Sequence, residues 1–370
     1  MNSLARSPAV ASPLARLFLG LESLLTVNSG IGRVARLVAQ VVAEEIRAGR
    51  LVASGAVLSD AVLPGDFPIP MTVAGKSRLK FVAAATRAQL SHTHFFYDFL
   101  GMARAHGWLP FLRRPYLVMV CGIEAWPGPF TRPDRVASAR RATMLVAISE
   151  HTRKRASELD PTFSRARVCW LGTLEDNLPK ASRVVDKEPR VLILARMDEM
   201  DYKGHKELIE CWPKVVDAIP KAILTIAGGG PKAADYRQLA AKSVAASRIE
   251  FTGVVPEEHI EDLWTRAMVF AMPSRGEGFG LVYIEAMRQG IPVIASCHDA
   301  GAEVNIDGQT GYNVNMDRPN ELPDRLIRLL RDPDHAATLG TNGQRRWAEH
   351  FCYSAFRGRF LPLLQEFVAL

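Results

Sequence analysis

Apolar residues along the chain fall into two alternating patterns. Mainly apolar runs of strand length, rich in Val, Ile and Leu, occupy residues 117–123, 144–149, 191–195, 223–227, 269–272 and 292–295. Between them, apolar positions recur at the spacing of amphipathic helices. Strand, helix and strand repeated in this way predict parallel sheets covered by helices. Earlier in the chain, Ile31, Val34, Ala35, Val38, Val41 and Val42 fall at helical spacing behind Gly30, so a glycine turn opens a helix there. From Trp347 to Leu370 the pattern reads as one or two closing helices. The stretch 173–189 carries charge, Pro179 and Pro189 but no sustained period, and it divides the two series of strands. The expected organisation is α/β in two units, 1–180 and 181–350, with a closing helix over 351–370.

Composition agrees with two cores. The chain has 370 residues, 48% hydrophobic and 23% charged, a globular composition too long for one ordinary domain. Cys121, Cys169, Cys211, Cys297 and Cys352 lie far apart and form no CxxC pair of the kind that zinc or redox chemistry needs. Reduced thiols in a cytosolic protein are expected. Near the N-terminus, Arg6 and Arg16 precede an apolar stretch, 17–21, that Glu22 cuts short, and the small triplet Ala9, Val10, Ala11 comes before that stretch. A secretory leader has the opposite order, and no run reaches the roughly 18 apolar residues of a bilayer span. The net charge is +7 and the pI about 9.3, which suggests an anionic partner: nucleotide phosphates, a lipid surface or nucleic acid. Residues 101–170 hold 12 Arg and Lys against 5 Asp and Glu, so the excess sits in the first half.

Candidate chemistry concentrates in Pro273-Ser274-Arg275-Gly276-Glu277-Gly278-Phe279-Gly280-Leu281-Val282-Tyr283-Ile284-Glu285-Ala286. This segment follows a strand and opens a helix. Its glycines let backbone approach a ligand and leave the first helical N–H groups free for an anion, which makes Gly278, Phe279, Gly280 and Leu281 candidates for holding an anionic ligand. At about 1.5 Å rise per residue, the Glu277 and Glu285 carboxylates stand roughly 10 Å apart, comparable to the reach of a nucleotide sugar from ribose to hexose.

The Glu277–x7–Glu285 spacing, followed by Gly290-Ile291-Pro292-Val293-Ile294-Ala295-Ser296, resembles the signature of glycosyltransferase family 4. The resemblance implies a retaining glycosyltransferase of the GT-B architecture, with two Rossmann-like doubly wound domains facing across a cleft and C-terminal helices packing back toward the first. It implies that Glu277 contacts the donor sugar and Glu285 the ribose hydroxyls. Arg196, ending the strand run at 191–195, and Lys203, in Tyr202-Lys203-Gly204-His205, resemble the basic pair on the donor pyrophosphate; either could instead pair with Asp198, Glu199 or Asp201. Gly228, in Ala227-Gly228-Gly229-Gly230-Pro231, resembles the glycine turn near the nucleotide. Gly253 and Val254 resemble the backbone that meets the base. Gly30 and Gly32, in Asn28-Ser29-Gly30-Ile31-Gly32-Arg33, resemble the loop facing the donor phosphate and the acceptor.

On the acceptor side, Cys121-Gly122-Ile123-Glu124 resembles the family's H-G-x-E stretch with Cys121 in place of the histidine, so Cys121 and Glu124 are sugar-pocket candidates. Ser149, in Ser149-Glu150-His151-Thr152-Arg153, resembles a turn that serves either a ligand or plain helix capping.

Other signals are weaker. Gly30 to Ala35 formally spells a dinucleotide fingerprint, but no acidic residue follows at the required distance. Asp332-Pro333-Asp334 lies between helical segments and reads as a turn; no metal and no cofactor beyond the nucleotide sugar are expected. The implied partners are a UDP- or GDP-sugar and a glycan or polyprenyl-linked acceptor in bacterial polysaccharide assembly, at the cytoplasmic side of the inner membrane. Trp108, Leu109, Phe111, Leu112, Arg113 and Arg114 read either as the lead-in to a buried strand or as a dock on anionic lipid. Nucleic acid is disfavoured, because the basic half lacks a stripe of interleaved aromatics. The rival class is a glycosyltransferase fold without turnover that serves as a binding or scaffold subunit.

Overall fold

The computed structural model describes residues 14–25, 30–107, 112, 114–179 and 188–370. Its first sheet contains β1 (Arg16–Leu21), β2 (Val52–Val57), β3 (Met71–Val73), β4 (His94–Tyr97), β5 (Tyr116–Val120), β6 (Met144–Ala147) and β7 (Arg167–Val168). They run in the order β3-β2-β1-β4-β5-β6-β7. The second sheet contains β8 (Arg190–Leu194), β9 (Ile223–Ala227), β10 (Ile249–Gly253), β11 (Val269–Ala271), β12 (Val293–Ser296) and β13 (Gly311–Val314), in the order β10-β9-β8-β11-β12-β13. All these pairings are parallel. The expected pair of parallel α/β units is thus observed. Each sheet reverses its strand order once, between β1 and β4 and between β8 and β11. In such sheets the carboxyl ends of the strands at the reversal form the ligand crevice.

Burial explains which strands read clearly. Parallel strands covered on both faces present continuous apolar runs, and every residue of β5 and β6 is buried. The apolar runs at 117–123 and 144–149 outlast their strands, because 121–123 and 148–149 already turn off the sheet edge. At β8 the run gains a residue: Arg190 enters the strand buried, its guanidinium held by Thr225 Oγ1 at 2.7 Å, Glu250 at 2.5 Å and Glu188 at 2.9 Å.

The helix Gly30–Arg47 buries Val34, Val38, Val41 and Val42 in one core with Leu17, Leu19 and Leu21 of β1. The two closing helices divide between the units. Pro333–His350 packs on Leu281–Arg288 of the second unit. Tyr353–Val368 returns to the first, with Phe360 edge-on to Phe96 of β4 at 6.1 Å and Phe367 on His94 at 5.2 Å. Glu44 accepts from Tyr353 Oη and Arg357 Nε, each at 2.6 Å. The chain therefore passes between the units twice.

Candidate active site

A parallel sheet delivers the loops after its strands to one edge, and here the two edges meet. The peptide at Gly278, in the loop after β11, lies so near the loop after β5 that a Cβ on it would stand 2.3 Å from Cys121 O. Only glycine permits that approach. Two hydroxyls of the first unit hold the same peptide: Ser149 Oγ donates to Gly278 O at 2.6 Å and Thr152 Oγ1 at 3.0 Å.

Beside this contact Glu277 is buried and paired with Lys203. Lys203 comes from the turn before the helix His205–Ala218, and its ammonium also lies 4.7 Å from the Tyr202 ring centroid. Burial opposes its charge, but the Glu277 carboxylate and then Tyr202 more than offset this, and the pKa rises above the ordinary lysine value. Behind Glu277 sits Asp299, after β12, whose Oδ2 accepts Glu277 N at 2.8 Å and whose Oδ1 accepts Gly301 N at 2.9 Å. Burial, followed by the nearby Glu277 charge, pushes its carboxyl up to about 7.

Gly280 caps the helix Leu281–Arg288 at φ +88°, which only glycine adopts without strain. Phe279 is buried edge-on to Phe351 at 5.9 Å, and Leu281 is half-buried. Glu285 lies just past the helix's first turn and forms an ion pair with Arg33 of the first unit. Arg33 shares the opening turn of Gly30–Arg47 with exposed Gly30 and buried Gly32. Burial, helped by Arg36, lowers its pKa to about 10.

The remaining candidates take varied places. Arg196 is 69% exposed and pairs with Asp198 at 2.7 Å, the alternative its acidic neighbours suggest. Gly228 N donates to Gly253 O at 2.8 Å, which joins the turn after β9 to the end of β10, with Val254 exposed beside them. The Cys121 thiol donates to Asp98 O at 3.3 Å, and burial, then Glu124 and Asp98, push its pKa up, so it is neutral at pH 7. Glu124 folds back to accept Cys121 N at 2.6 Å; burial raises its own pKa. Ser149 caps the helix Glu150–Leu159 by accepting Thr152 N at 2.9 Å as well as donating to Gly278. Asp332, read from the sequence as a turn residue, caps the helix Pro333–His350 by accepting His335 N at 2.9 Å. Among the described residues no group of three His, Cys, Asp or Glu could hold a metal ion. Asn28, Ser29, Trp108, Leu109, Phe111 and Arg113 lie outside the described residues.

Sequence reasoning missed Asp98, Asp299 and Arg33. Asp98 is buried after β4, with Oδ2 on Glu22 N at 2.7 Å and Oδ1 without a hydrogen-bond partner. Its only sequence signal is a carboxylate ending the short run His94-Phe95-Phe96-Tyr97.

Parts of the chain are similar to known proteins. Residues 175–346 match the family model "Glycosyl transferases group 1". The GDP-mannose-dependent alpha-(1-6)-phosphatidylinositol monomannoside mannosyltransferase of Mycolicibacterium smegmatis is 34% identical over 167 residues, 43% of this chain and 43% of that protein. The phosphatidyl-myo-inositol mannosyltransferase of Mycobacterium tuberculosis is 37% identical over 166 residues, 42% of this chain and 43% of the relative. The matched stretch thus spans less than half the length of these curated relatives. Among solved structures, Anabaena HepE in complex with UDP and glucose superposes with a TM-score of 0.78 at 19% identity, covering 96% of this chain and 100% of that one. The sucrose-phosphate synthase of Thermosynechococcus elongatus gives 0.75 at 21%, with 96% and 100% covered. The fold is accordingly the two-domain GT-B arrangement, and residues 175–346 are similar to the group 1 glycosyl transferases.

Proposed function

We propose that the protein is a retaining glycosyltransferase that moves a hexose from a nucleotide diphosphate sugar to a glycan or lipid-linked acceptor. The observation that carries this reading is the Glu277–Lys203 pair, buried at the point where the two sheets' carboxyl edges touch. Cations fixed near a departing pyrophosphate stabilise the charge that builds on it; Lys203 and Arg196 have that role. Glu277 faces the donor sugar and Glu285 the ribose. The acceptor oxygen bonds to the anomeric carbon on the face from which the phosphate leaves. The bond from that carbon to the β-phosphate oxygen breaks, and the departing phosphate takes the acceptor's proton. No enzymic base is then needed at Cys121, in keeping with its neutral thiol. The reading assigns no metal and no cofactor beyond the donor.

The relatives' names make GDP-mannose and a phosphatidylinositol mannoside the first pair to try, with a UDP-sugar as the alternative donor. A site at the cytoplasmic face of the inner membrane is part of the proposal. Supporting it, the first unit's helix Arg78–Ala88 exposes Leu79 and Val82 among Arg78, Lys80 and Arg87 and contains no carboxylate.

The test is sugar transfer by the purified chain in chelator, with Glu277→Gln beside the wild type. Transfer that disappears in the variant, with donor still bound, supports the proposal. Equal turnover by both proteins rejects the Glu277 assignment. Donor binding without any turnover selects the scaffold reading.

A further inference from the structure

Glu303, on the short helix Gly301–Val304 of the second unit, reaches across to the first. Its Oε2 accepts Glu150 N at 2.9 Å and Trp170 Nε1 at 3.1 Å, and its Oε1 accepts His151 N. The first N–H groups of a helix lack intrahelical partners and carry the positive end of its dipole. In the ten-residue helix Glu150–Leu159, a carboxylate from the opposite unit satisfies two of them, and Ser149 Oγ satisfies that of Thr152.

The root of Glu303 is tied to the donor loop. Asp299 accepts both Glu277 N and Gly301 N, and Ala300 N donates to Glu277 O at 3.2 Å. Arg346 fixes the far end of the short helix through Val304 O at 2.8 Å and Glu303 O at 2.9 Å. The ring closes at Gly278 O, held by Ser149 and Thr152 of the helix that Glu303 caps. Glu277 therefore sits in a hydrogen-bonded circuit spanning both units, with Glu303 as one of its two crossings.

We propose that Glu303 is a positioning residue: by capping Glu150–Leu159 from the second unit, it holds Glu277 in register with the acceptor-side loop at Cys121. This rests on the function proposed above. On that reading the nucleotide candidates Gly228, Gly253, Val254 and Glu285 lie on the second unit, whereas transfer needs both, so loss of Glu303 separates binding from turnover. For Glu303→Ala, calorimetry with GDP and UDP should give dissociation constants within twofold of wild type, and the donor KM should stay within threefold while kcat falls at least tenfold. Glu303→Gln keeps the length and one acceptor oxygen and should recover at least a third of the wild-type kcat. Trp170→Phe, which removes one donor to the carboxylate and keeps a smaller aromatic ring in its place, should lower kcat about threefold and carries the test if Glu303→Ala does not fold.

A kcat within twofold of wild type in folded Glu303→Ala, or in Trp170→Phe should it be needed, overturns the proposal, as does a parallel loss of nucleotide affinity. If the wild type transfers no sugar at all, the function reading fails separately. Small-angle scattering then decides the Glu303 claim: a larger radius of gyration for Glu303→Ala than for wild type and Glu303→Gln sustains the crossing, and identical curves reject it.

Discussion

Lys203 and Arg196 carry the same charge in very different media. The Lys203 and Glu277 side chains are 17% and 12% exposed, whereas Arg196 stands in solvent beside Asp198. Removing one member of a buried pair strands the other and costs about 3 kcal/mol, while an exposed pair contributes at most about 1 kcal/mol. Lys203→Ala should therefore lower both the melting temperature and the transfer rate. Arg196→Ala should leave melting unchanged and lose roughly 2–4 kcal/mol of transition-state stabilisation. Thermal melts and single-turnover rates of the two variants check this; an unaltered rate in Arg196→Ala means that the pyrophosphate is held without it. Asp299 adds a pH dependence. Its folded pKa, about 7, lies above the ordinary aspartate value of 3.8, so the native state binds the proton more tightly than the unfolded chain. Its contribution to stability is fully present below about pH 4 and is lost as pH rises to about 7. Asp299→Asn removes the titration, so the wild type's advantage in melting temperature should shrink between pH 5 and 8. A constant difference across that range means that Asp299 titrates as an ordinary surface carboxylate.

Among the elements, the helix Arg78–Ala88 presents the mixed surface that suits an anionic bilayer, with Leu79 84% exposed and Leu90, just beyond the helix, 73% exposed. Each cation near such a surface contributes about 1 kcal/mol and is screened by salt. Vesicles containing phosphatidylglycerol should sediment the protein at low salt, pure phosphatidylcholine vesicles should not, and the double variant Leu79→Glu, Val82→Glu should remain in solution. Sedimentation of that variant equal to wild type places the contact elsewhere. Legibility differs among elements for physical reasons. β8, β9 and β12 were readable as apolar runs because helices cover both faces of their sheet. β2 is Val52-Ala53-Ser54-Gly55-Ala56-Val57, too small and polar to stand out, and β3 has three residues. In the site, Glu277, Lys203 and Glu285 lie in contiguous motifs and could be named. Arg33, Asp299 and Glu303 acquire their roles from partners 252, 22 and about 150 positions away, and no local pattern records such pairings.

At the scale of the whole molecule, the first unit is closed by a helix from the far end of the chain. Phe356, Phe360, Leu363, Leu364 and Phe367 of Tyr353–Val368 are buried, and Phe96 and His94 meet this helix through rings. In synthesis from the N-terminus, seven strands emerge long before this last covering piece exists. The nascent first unit must then carry an uncovered apolar face while the entire second unit is translated and folds. Exposed faces of that kind recruit chaperones or aggregate. The second unit, whose strands and covering helices are contiguous from β8 to His350, has no such wait, so it is the half suited to complete its fold first although it is made second.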